Sequence, residues 1–264
     1  MRGCILNEVS CKQANFKNTN LTFAKFNNVN LNHGNLERAE FNSAVLISLS
    51  LDHANAYKAQ LYGAKLEEFT AKGANLSNVD LRQASGNKVD FSCANLNRVF
   101  ASQTSFYEIN LDRATVTNAR FQQASIINSR WYKANLQNSN LSKSKLINAV
   151  FNDASLVNTK FISAKLDQVE FTSAELLESN FSQAFLSNID FRSSMILSAN
   201  FEGATLENIN FADANLQDCN FENTSWKNVD FNDCQVAGAV FSKAQGLTPE
   251  QKQWLKQNGA LNIN

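Results

Sequence analysis

The chain has 264 residues, 24 basic and 24 acidic side chains, and five cysteines. No segment approaches the roughly 18 apolar residues of a membrane-spanning helix, and the first residues lack the apolar core of a secretion signal. The cysteine spacings contain no CxxC pair, which argues against a disulfide framework and against a zinc or redox motif. We therefore expect a cytoplasmic protein that makes no contact with a membrane.

An apolar residue recurs at every fifth position from Leu6 to Phe241, and the phase never slips. Of the 48 central positions, 37 are Leu or Phe, and the residue two places earlier is small, most often Ala. A fixed short period means that each unit can bury its apolar face only by stacking on its neighbours. The period therefore predicts a solenoid.

The small position shows how many units make one coil. Larger residues at that position, such as Val9, Val29 and Leu49, are spaced by multiples of twenty, and a column of asparagines, such as Asn15 and Asn35, has the same spacing. Residues twenty apart should therefore lie on one face, and four pentapeptides should complete one coil. Amides stacked in this way can bond to the coils above and below.

The motif Ala-Asn-Leu-x-x occurs at residues 94–98 and 134–138, and this motif resembles the pentapeptide repeat family. The resemblance implies that family's fold, an all-β, right-handed, quadrilateral parallel β-helix in which the central and small residues point inward. The 48 units would then form about twelve coils over residues 1–244. Residues 245–264 would form a short capping helix and a tail.

Small residues replace large centres at Ala56, Ala71, Gly86 and Ala101. Phe69 can fill the space beside Ala71, but nothing in the sequence obviously compensates for Gly86. Because small-for-large changes in a core leave costly voids, we expect a narrowing, a bend or a shifted strand between residues 56 and 101.

The two ends of the repeat differ. The repeats begin almost at Met1 without a cap, so we expect the first coil to be frayed, covered by a partner or paired with another copy. At the other end, Thr248 is predicted as an N-cap, Pro249 as the first helical residue and Gly259 as the stop of a helix over residues 249–258. Two residues of this helix are candidates for capping the last coil or for forming a homodimer surface: Trp254 and Leu255.

Two sets of outward positions carry apolar side chains at twenty-residue spacing, although these positions should face solvent. Scattered apolar residues are normal on a surface, but stripes over three coils indicate contact surfaces. We interpret both stripes as candidate binding sites for a protein partner or a second copy. The first stripe is Tyr107, Ile127 and Ile147; the second stripe is Val157, Leu177 and Leu197, with Met195 beside the last.

The net charge of zero conceals an asymmetry along the chain. Residues 1–165 carry 19 basic and 11 acidic side chains, whereas residues 166–242 carry two basic and 12 acidic ones. One interpretation is solubility, because a charged surface keeps a repeat protein from aggregating. The other is that an acidic rod competes with DNA for a positively charged groove. The candidate acidic surface consists of Glu202, Glu207, Glu222 and Asp230.

Residues for catalysis or for binding a cofactor are not evident. His33 and His53 should occupy the same corner of adjacent coils, with Asp52 beside one of them. A structural zinc site normally needs four ligands, so solvated corner residues are the favoured interpretation. No glycine-rich phosphate loop and no nucleophile motif occurs. We expect no enzyme activity, no cofactor and no metal.

Two functional hypotheses stay open at this point. The first is a non-enzymatic scaffold of bacterial type that presents ladders of side chains to a protein partner. The second follows from the resemblance, because some relatives resemble DNA and protect type II topoisomerases from quinolones or peptide toxins; DNA gyrase would then be the partner. The basic residues 1–165 depart from the acidic surface expected of that class. Direct nucleic-acid binding through the basic half is a minor alternative that we do not favour.

Overall fold

A computed structural model describes residues 1–263 and divides the chain into two compact units, Met1–Asn135 and Leu136–Asn264. The first unit contains seven strands and the second contains five strands and a helix. The strands of the first unit are β1 (Ile5–Ser10), β2 (Lys25–Asn30), β3 (Val45–Ser50), β4 (Lys65–Glu67), β5 (Ser85–Asp90), β6 (Ser105–Asn110) and β7 (Ser125–Arg130). The elements of the second unit are β8 (Lys145–Val150), β9 (Lys165–Glu170), β10 (Phe185–Asp190), β11 (Thr205–Asn210), β12 (Ser225–Asp230) and α1 (Pro249–Gln257).

Within each unit, every strand pairs in parallel with the strand one coil later, always in the same register. In the first unit Leu6 lies opposite Phe26, and in the second Leu186 lies opposite Leu206. Both pairs are separated by twenty residues, which confirms the predicted coil length. The constant register places each outward residue directly above its equivalent, at the strand spacing of about 4.8 Å.

A left-handed backbone marks the corners of each coil. Four consecutive corners are Gln13, Asn18, Phe23 and Asn28, with φ values of 60°, 56°, 61° and 52°. A non-glycine residue in this conformation costs about 1 kcal/mol, and the hydrogen bonds between coils offset that cost. The N–H of Gln13, for example, donates to the carbonyl of Asn32 at 2.9 Å. Four corners in every twenty residues confirm the predicted four-sided β-helix in each unit.

The central residues fill the interior, as predicted. In the second unit the phenylalanines form two stacked columns that meet edge to face. Phe161 and Phe181 are parallel with ring centroids 4.7 Å apart, whereas Phe191 and Phe201 are perpendicular at 6.3 Å. Each of these four side chains is completely buried. Such burial stabilises a fold by about 1.5–3 kcal/mol per side chain before chain entropy is subtracted.

The expected irregularity between residues 56 and 101 takes the form of a shortened strand. β4 has three residues where its neighbours have six, and the chain bends at Glu68. The next residue, Phe69, is buried and packs edge-on against Phe91. This interruption confirms a local departure from the regular strand, at the coil in which a bulky ring occupies a small position.

The expectation that nothing compensates for Gly86 is wrong. Gly86 lies opposite Phe106 on the next coil. A Cβ placed on Gly86 would lie 2.9 Å from the ring of Phe106 and 2.7 Å from Cγ2 of Val89, so these two side chains already occupy the space. Glycine at this centre therefore makes room for a larger neighbour and leaves no void.

The first coil is partly open, and the last is covered. Leu6, Cys11 and Phe16 are half-buried, whereas the equivalent centres from Leu21 onward are fully buried. Whether a partner or a second copy covers the first coil stays a prediction.

α1 covers the last coil, as predicted. The N–H of Gln251 donates to Oγ1 of Thr248 at 3.2 Å, and the N–H of Thr248 donates to Oε1 of Gln251 at 2.9 Å. This capping box confirms Thr248 as the N-cap and Pro249 as the first helical residue. The helix ends at Gln257, one residue before the predicted end, and Gly259 follows with a φ of 82°.

Candidate interaction surfaces

The second stripe is a continuous apolar strip on one face of the second unit. Val157, Leu177 and Leu197 are half-buried and lie on consecutive coils. The N–H of Asn158 donates to the carbonyl of Leu177, and the N–H of Glu178 donates to that of Leu197, at 2.9 and 3.0 Å. The backbone bonds therefore fix the spacing of the strip. Met195, two residues before Leu197, is 47% exposed and widens the strip at one end.

Two of the three residues of the first stripe lie in the first unit. Tyr107 and Ile127 are register partners on β6 and β7, and Tyr107 is 46% exposed. Ile147 belongs to the second unit, where its register partner on β9 is Asp167. Tyr107 and Ile127 therefore form a small patch within the first unit, and that Ile147 continues this patch stays a prediction.

The surface around Ile147 contains an exposed aromatic residue that is not among the candidates predicted from the sequence. Phe185 on β10 is 43% exposed, and with Ile147 it borders a shallow cavity of about 230 Å³. Lys145 and Lys165 line the same cavity. Phe185 precedes the centre Leu186, whereas the predicted stripes consist mainly of residues that follow a centre. This residue can be found in the sequence if the positions that precede the centres are also compared at twenty-residue spacing.

The four candidate acidic residues are not equivalent. Glu202 and Glu222 are one coil apart on one face. Nζ of Lys227 contacts the carboxylate of Glu207 at 2.6 Å and partly neutralises it. Oδ1 of Asp230 accepts the N–H of Asn232 at 2.9 Å, so this carboxylate supports its own turn. Glu202 and Glu222 are thus the more available pair of carboxylates.

Asp190 forms the second ion pair on the acidic segment. Its carboxylate contacts Nη2 of Arg192 at 2.6 Å and also accepts the backbone N–H of Arg192. Partial burial acts to raise the pKa of Asp190, but the hydrogen bonds and the charge of Arg192 outweigh it, so the pKa lies below its ordinary value. This carboxylate therefore stays charged under mildly acidic conditions.

The two helix candidates have different surroundings. Leu255 is the completely buried residue of α1. Trp254 is half-buried, and its ring lies 6.3 Å from that of Phe231. A cavity of about 360 Å³ beside Trp254 is also lined by Asp230 and Glu250. Leu255 is therefore positioned to hold the cap, and only Trp254 offers area to a second copy.

The two histidines stack at one corner, as expected. Their rings are nearly parallel with centroids 5.3 Å apart. Oδ1 of Asp52 accepts the backbone N–H of Lys72 at 2.9 Å, which ties this carboxylate to the next coil. Within residues 1–263 no group of three or more His, Cys, Asp or Glu side chains is placed to hold a metal ion.

The cysteines also differ in their surroundings. Cys93 is exposed at a corner, whereas Cys219 is buried. Burial raises the pKa of the Cys219 thiol to about 12, so this thiol is protonated at neutral pH. In the part of the chain that the structure describes, no helix is long and apolar enough to cross a bilayer.

Comparison with family models agrees with corners that are five residues apart and with coils of twenty residues. A model described as a pentapeptide repeat region matches residues 124–201, and a model of nine pentapeptide repeats matches residues 201–245. The chain belongs to the pentapeptide repeat family. A model of eight pentapeptide repeats matches four further segments of this pentapeptide repeat protein: residues 1–32, 70–100, 90–126 and 104–142.

Two solved structures are among those that the comparison finds similar to this chain. A trypsin-treated form of QnrB1, a plasmid-mediated fluoroquinolone resistance protein, is 17% identical over 81% of this chain and 94% of its own, with a TM-score of 0.40. HetL, a pentapeptide repeat protein involved in heterocyst differentiation regulation in the cyanobacterium Nostoc sp. strain PCC 7120, is 22% identical over 90% of each chain, with a TM-score of 0.28. A sequence comparison with curated proteins gives no match. None of these comparisons supports a statement about what this chain binds.

Proposed function

We propose that this pentapeptide repeat protein is a non-enzymatic interaction module that binds a protein partner through the second stripe. The observation that carries the proposal is the run of three half-buried aliphatic side chains on consecutive coils, extended by the exposed Met195. Apolar area of this kind is the usual centre of a protein interface, which a polar rim surrounds. A cytoplasmic location and a bacterial source stay predictions.

The rigid backbone supports this function physically. Each outward side chain projects from a coil that is hydrogen-bonded to the next coil in a fixed register. A partner therefore meets a preorganised surface, and little backbone entropy is lost when the complex forms. A standard interface covers about 800 Å² on each partner, so the second stripe would form its core and the neighbouring polar corners its rim.

Two lysine substitutions in the second stripe test this proposal. Leu177→Lys/Leu197→Lys places two charges in the centre of the proposed interface, and Ser142→Lys/Ser182→Lys adds the same charge on another face of the second unit. Affinity capture from the source cells, followed by mass spectrometry, should recover a partner with the wild type and with the serine variant. The leucine variant should recover less than about a tenth as much, because unpaired charges in an interface are costly. Equal recovery by all three proteins would contradict the proposal.

Protection of a type II topoisomerase is the second candidate, and the charge of residues 166–242 favours it. Twelve carboxylates lie in this segment, and within residues 1–263 only Asp190 and Glu207 of the twelve form ion pairs. Carboxylates without an ion pair can compete for a groove that binds phosphates, and salt must weaken the attraction. A DNA gyrase supercoiling assay with a quinolone, at several salt concentrations, tests this candidate. Wild type should protect the enzyme, Glu202→Lys/Glu222→Lys should not, and an absence of protection by wild type would exclude the candidate.

A further inference from the structure

The outer face of β8, β9 and β10 carries an apolar cavity beside two lysines. Ile147 and the exposed ring of Phe185 supply apolar surface around about 230 Å³ of space. Lys145 and Lys165 border the same space, and both are exposed. We call this feature, formed by Lys145, Ile147, Lys165 and Phe185, the lysine cavity.

The two lysines of the lysine cavity are direct neighbours on paired strands. Lys145 lies opposite Lys165, and Lys165 lies opposite Phe185. Like charges placed directly opposite in a sheet destabilise it unless an opposite charge lies nearby. Among the residues that the structure describes, neither ammonium group forms an ion pair.

A lysine at the equivalent position in the first unit forms an ion pair that Lys145 and Lys165 lack. Lys65 occupies the same position five coils earlier, and its Nζ contacts the carboxylate of Glu67 at 3.5 Å. The residue equivalent to Glu67 is Asp167, whose side chain is one methylene shorter. Nδ2 of Asn188 donates a hydrogen bond to Oδ1 of Asp167 at 2.8 Å. Asp167 is the one carboxylate among the described residues that line the lysine cavity, and it forms an ion pair with neither lysine.

We propose that the lysine cavity binds an extended acidic segment of a partner protein that carries an aliphatic side chain next to its carboxylates. This proposal rests on the proposed function as a protein-interaction module and adds a second contact surface with a defined chemistry. A carboxylate of the segment would neutralise Lys145 and Lys165, and the aliphatic side chain would cover Ile147 and Phe185. Both effects remove an unfavourable feature of the free surface.

The surrounding charges favour an acidic peptide over a nucleic acid or a membrane. Beyond the cavity residue Asp167 the second unit stays acidic, with Glu170 and Glu175 as the next charged residues. A long phosphate backbone or a flat anionic bilayer would meet these carboxylates as well as the lysines. A short peptide can place its carboxylates only where the lysines lie.

A synthetic peptide provides the probe. In an extended chain, residues two apart point to the same side, as Lys145 and Ile147 do on β8. Two repeats of Glu-Ser-Leu-Ser therefore present carboxylates and leucines together, whereas Lys-Ser-Leu-Ser reverses the charge and Glu-Ser-Ser-Ser removes the apolar group. Fluorescence anisotropy of each labelled peptide, titrated with the full chain at low salt, measures binding.

Matched variants separate the two parts of the lysine cavity. Lys145→Glu/Lys165→Glu should weaken binding of the Glu-Ser-Leu-Ser peptide by about tenfold or more, because repulsion replaces attraction. Phe185→Thr inserts the residue found at this position on the next coil and should weaken binding about threefold, because apolar contact is lost. Lys25→Glu/Lys65→Glu, the same change in the first unit, should leave binding unchanged. Equal thermal melting curves would show that each variant is folded.

Three results would overturn the proposal. They are no binding of the acidic peptide to wild type, equal binding to wild type and Lys145→Glu/Lys165→Glu, and lysine-dependent binding to phosphatidylserine vesicles in place of the peptide. Partner capture through the second stripe is measured separately, on a different face of the unit. If capture succeeds and peptide binding fails, only the lysine cavity is excluded; if wild type captures no partner, the proposed function itself fails.

Discussion

Phe191 shows how strongly a single centre is constrained in this fold. Its ring lies 5.0 Å from that of Phe171 and 5.1 Å from that of Phe211, and it is completely buried. We expect Phe191→Asp to lower the free energy of unfolding by more than about 4 kcal/mol, because an unpaired carboxylate would replace a stacked ring. Phe191→Leu should cost about 1–2 kcal/mol, since the same column contains leucine in other coils. Urea denaturation followed by circular dichroism measures both values, and similar losses for the two variants would contradict the stacked column.

Asp190 predicts a pH dependence of stability. Its folded pKa lies below the unfolded value, so its contribution is fully present above the unfolded pKa of about 3.9 and is lost as the pH falls through the lower folded value. Melting temperatures measured from pH 7 to pH 2.5 should therefore fall more steeply for wild type than for Asp190→Asn below about pH 4. Parallel curves for the two proteins would show that the ion pair with Arg192 does not affect stability.

At the scale of elements, α1 provides the clearest prediction. Leu255 is completely buried, so Leu255→Ala should destabilise the protein by about 2–5 kcal/mol. Thr248→Ala removes the capping box and should cost about 1 kcal/mol. Gln253→Ala, at an exposed position of the same helix, is the matched control. If thermal melting does not separate Leu255→Ala from this control, the helix does not stabilise the last coil.

The elements also show which features could be predicted from the sequence. The coil length, the inward centres and the helix start were all predicted, because each depends on residues at a fixed spacing or on a local capping motif. The packing of Phe106 over Gly86 was not predicted, since the compensating ring comes from a neighbouring coil. Most of the lysine cavity lies outside the predicted stripes for a different reason. Lys145, Lys165 and Phe185 precede their centres at twenty-residue spacing, whereas the predicted stripes consist mainly of residues that follow a centre.

At the scale of the whole molecule, function depends on what the regular coils present to a partner. The backbone provides identical positions at every coil, so specificity has to come from the outward side chains. The second stripe contributes aliphatic groups, the lysine cavity contributes two cations beside apolar surface, and the acidic segment contributes carboxylates. Because these surfaces differ in chemistry, variants on one surface can be tested without altering the others.

The central claim is that a protein partner binds the second stripe through apolar contact. Isothermal titration calorimetry of the purified partner, at several temperatures, tests this claim most directly. We predict a negative heat-capacity change for wild type, since apolar surface is buried on binding, and an affinity for Leu177→Lys/Leu197→Lys that is lower by about tenfold or more. Ser142→Lys/Ser182→Lys should bind like wild type. An unchanged affinity in the leucine variant, or a heat-capacity change near zero in wild type, would contradict the account.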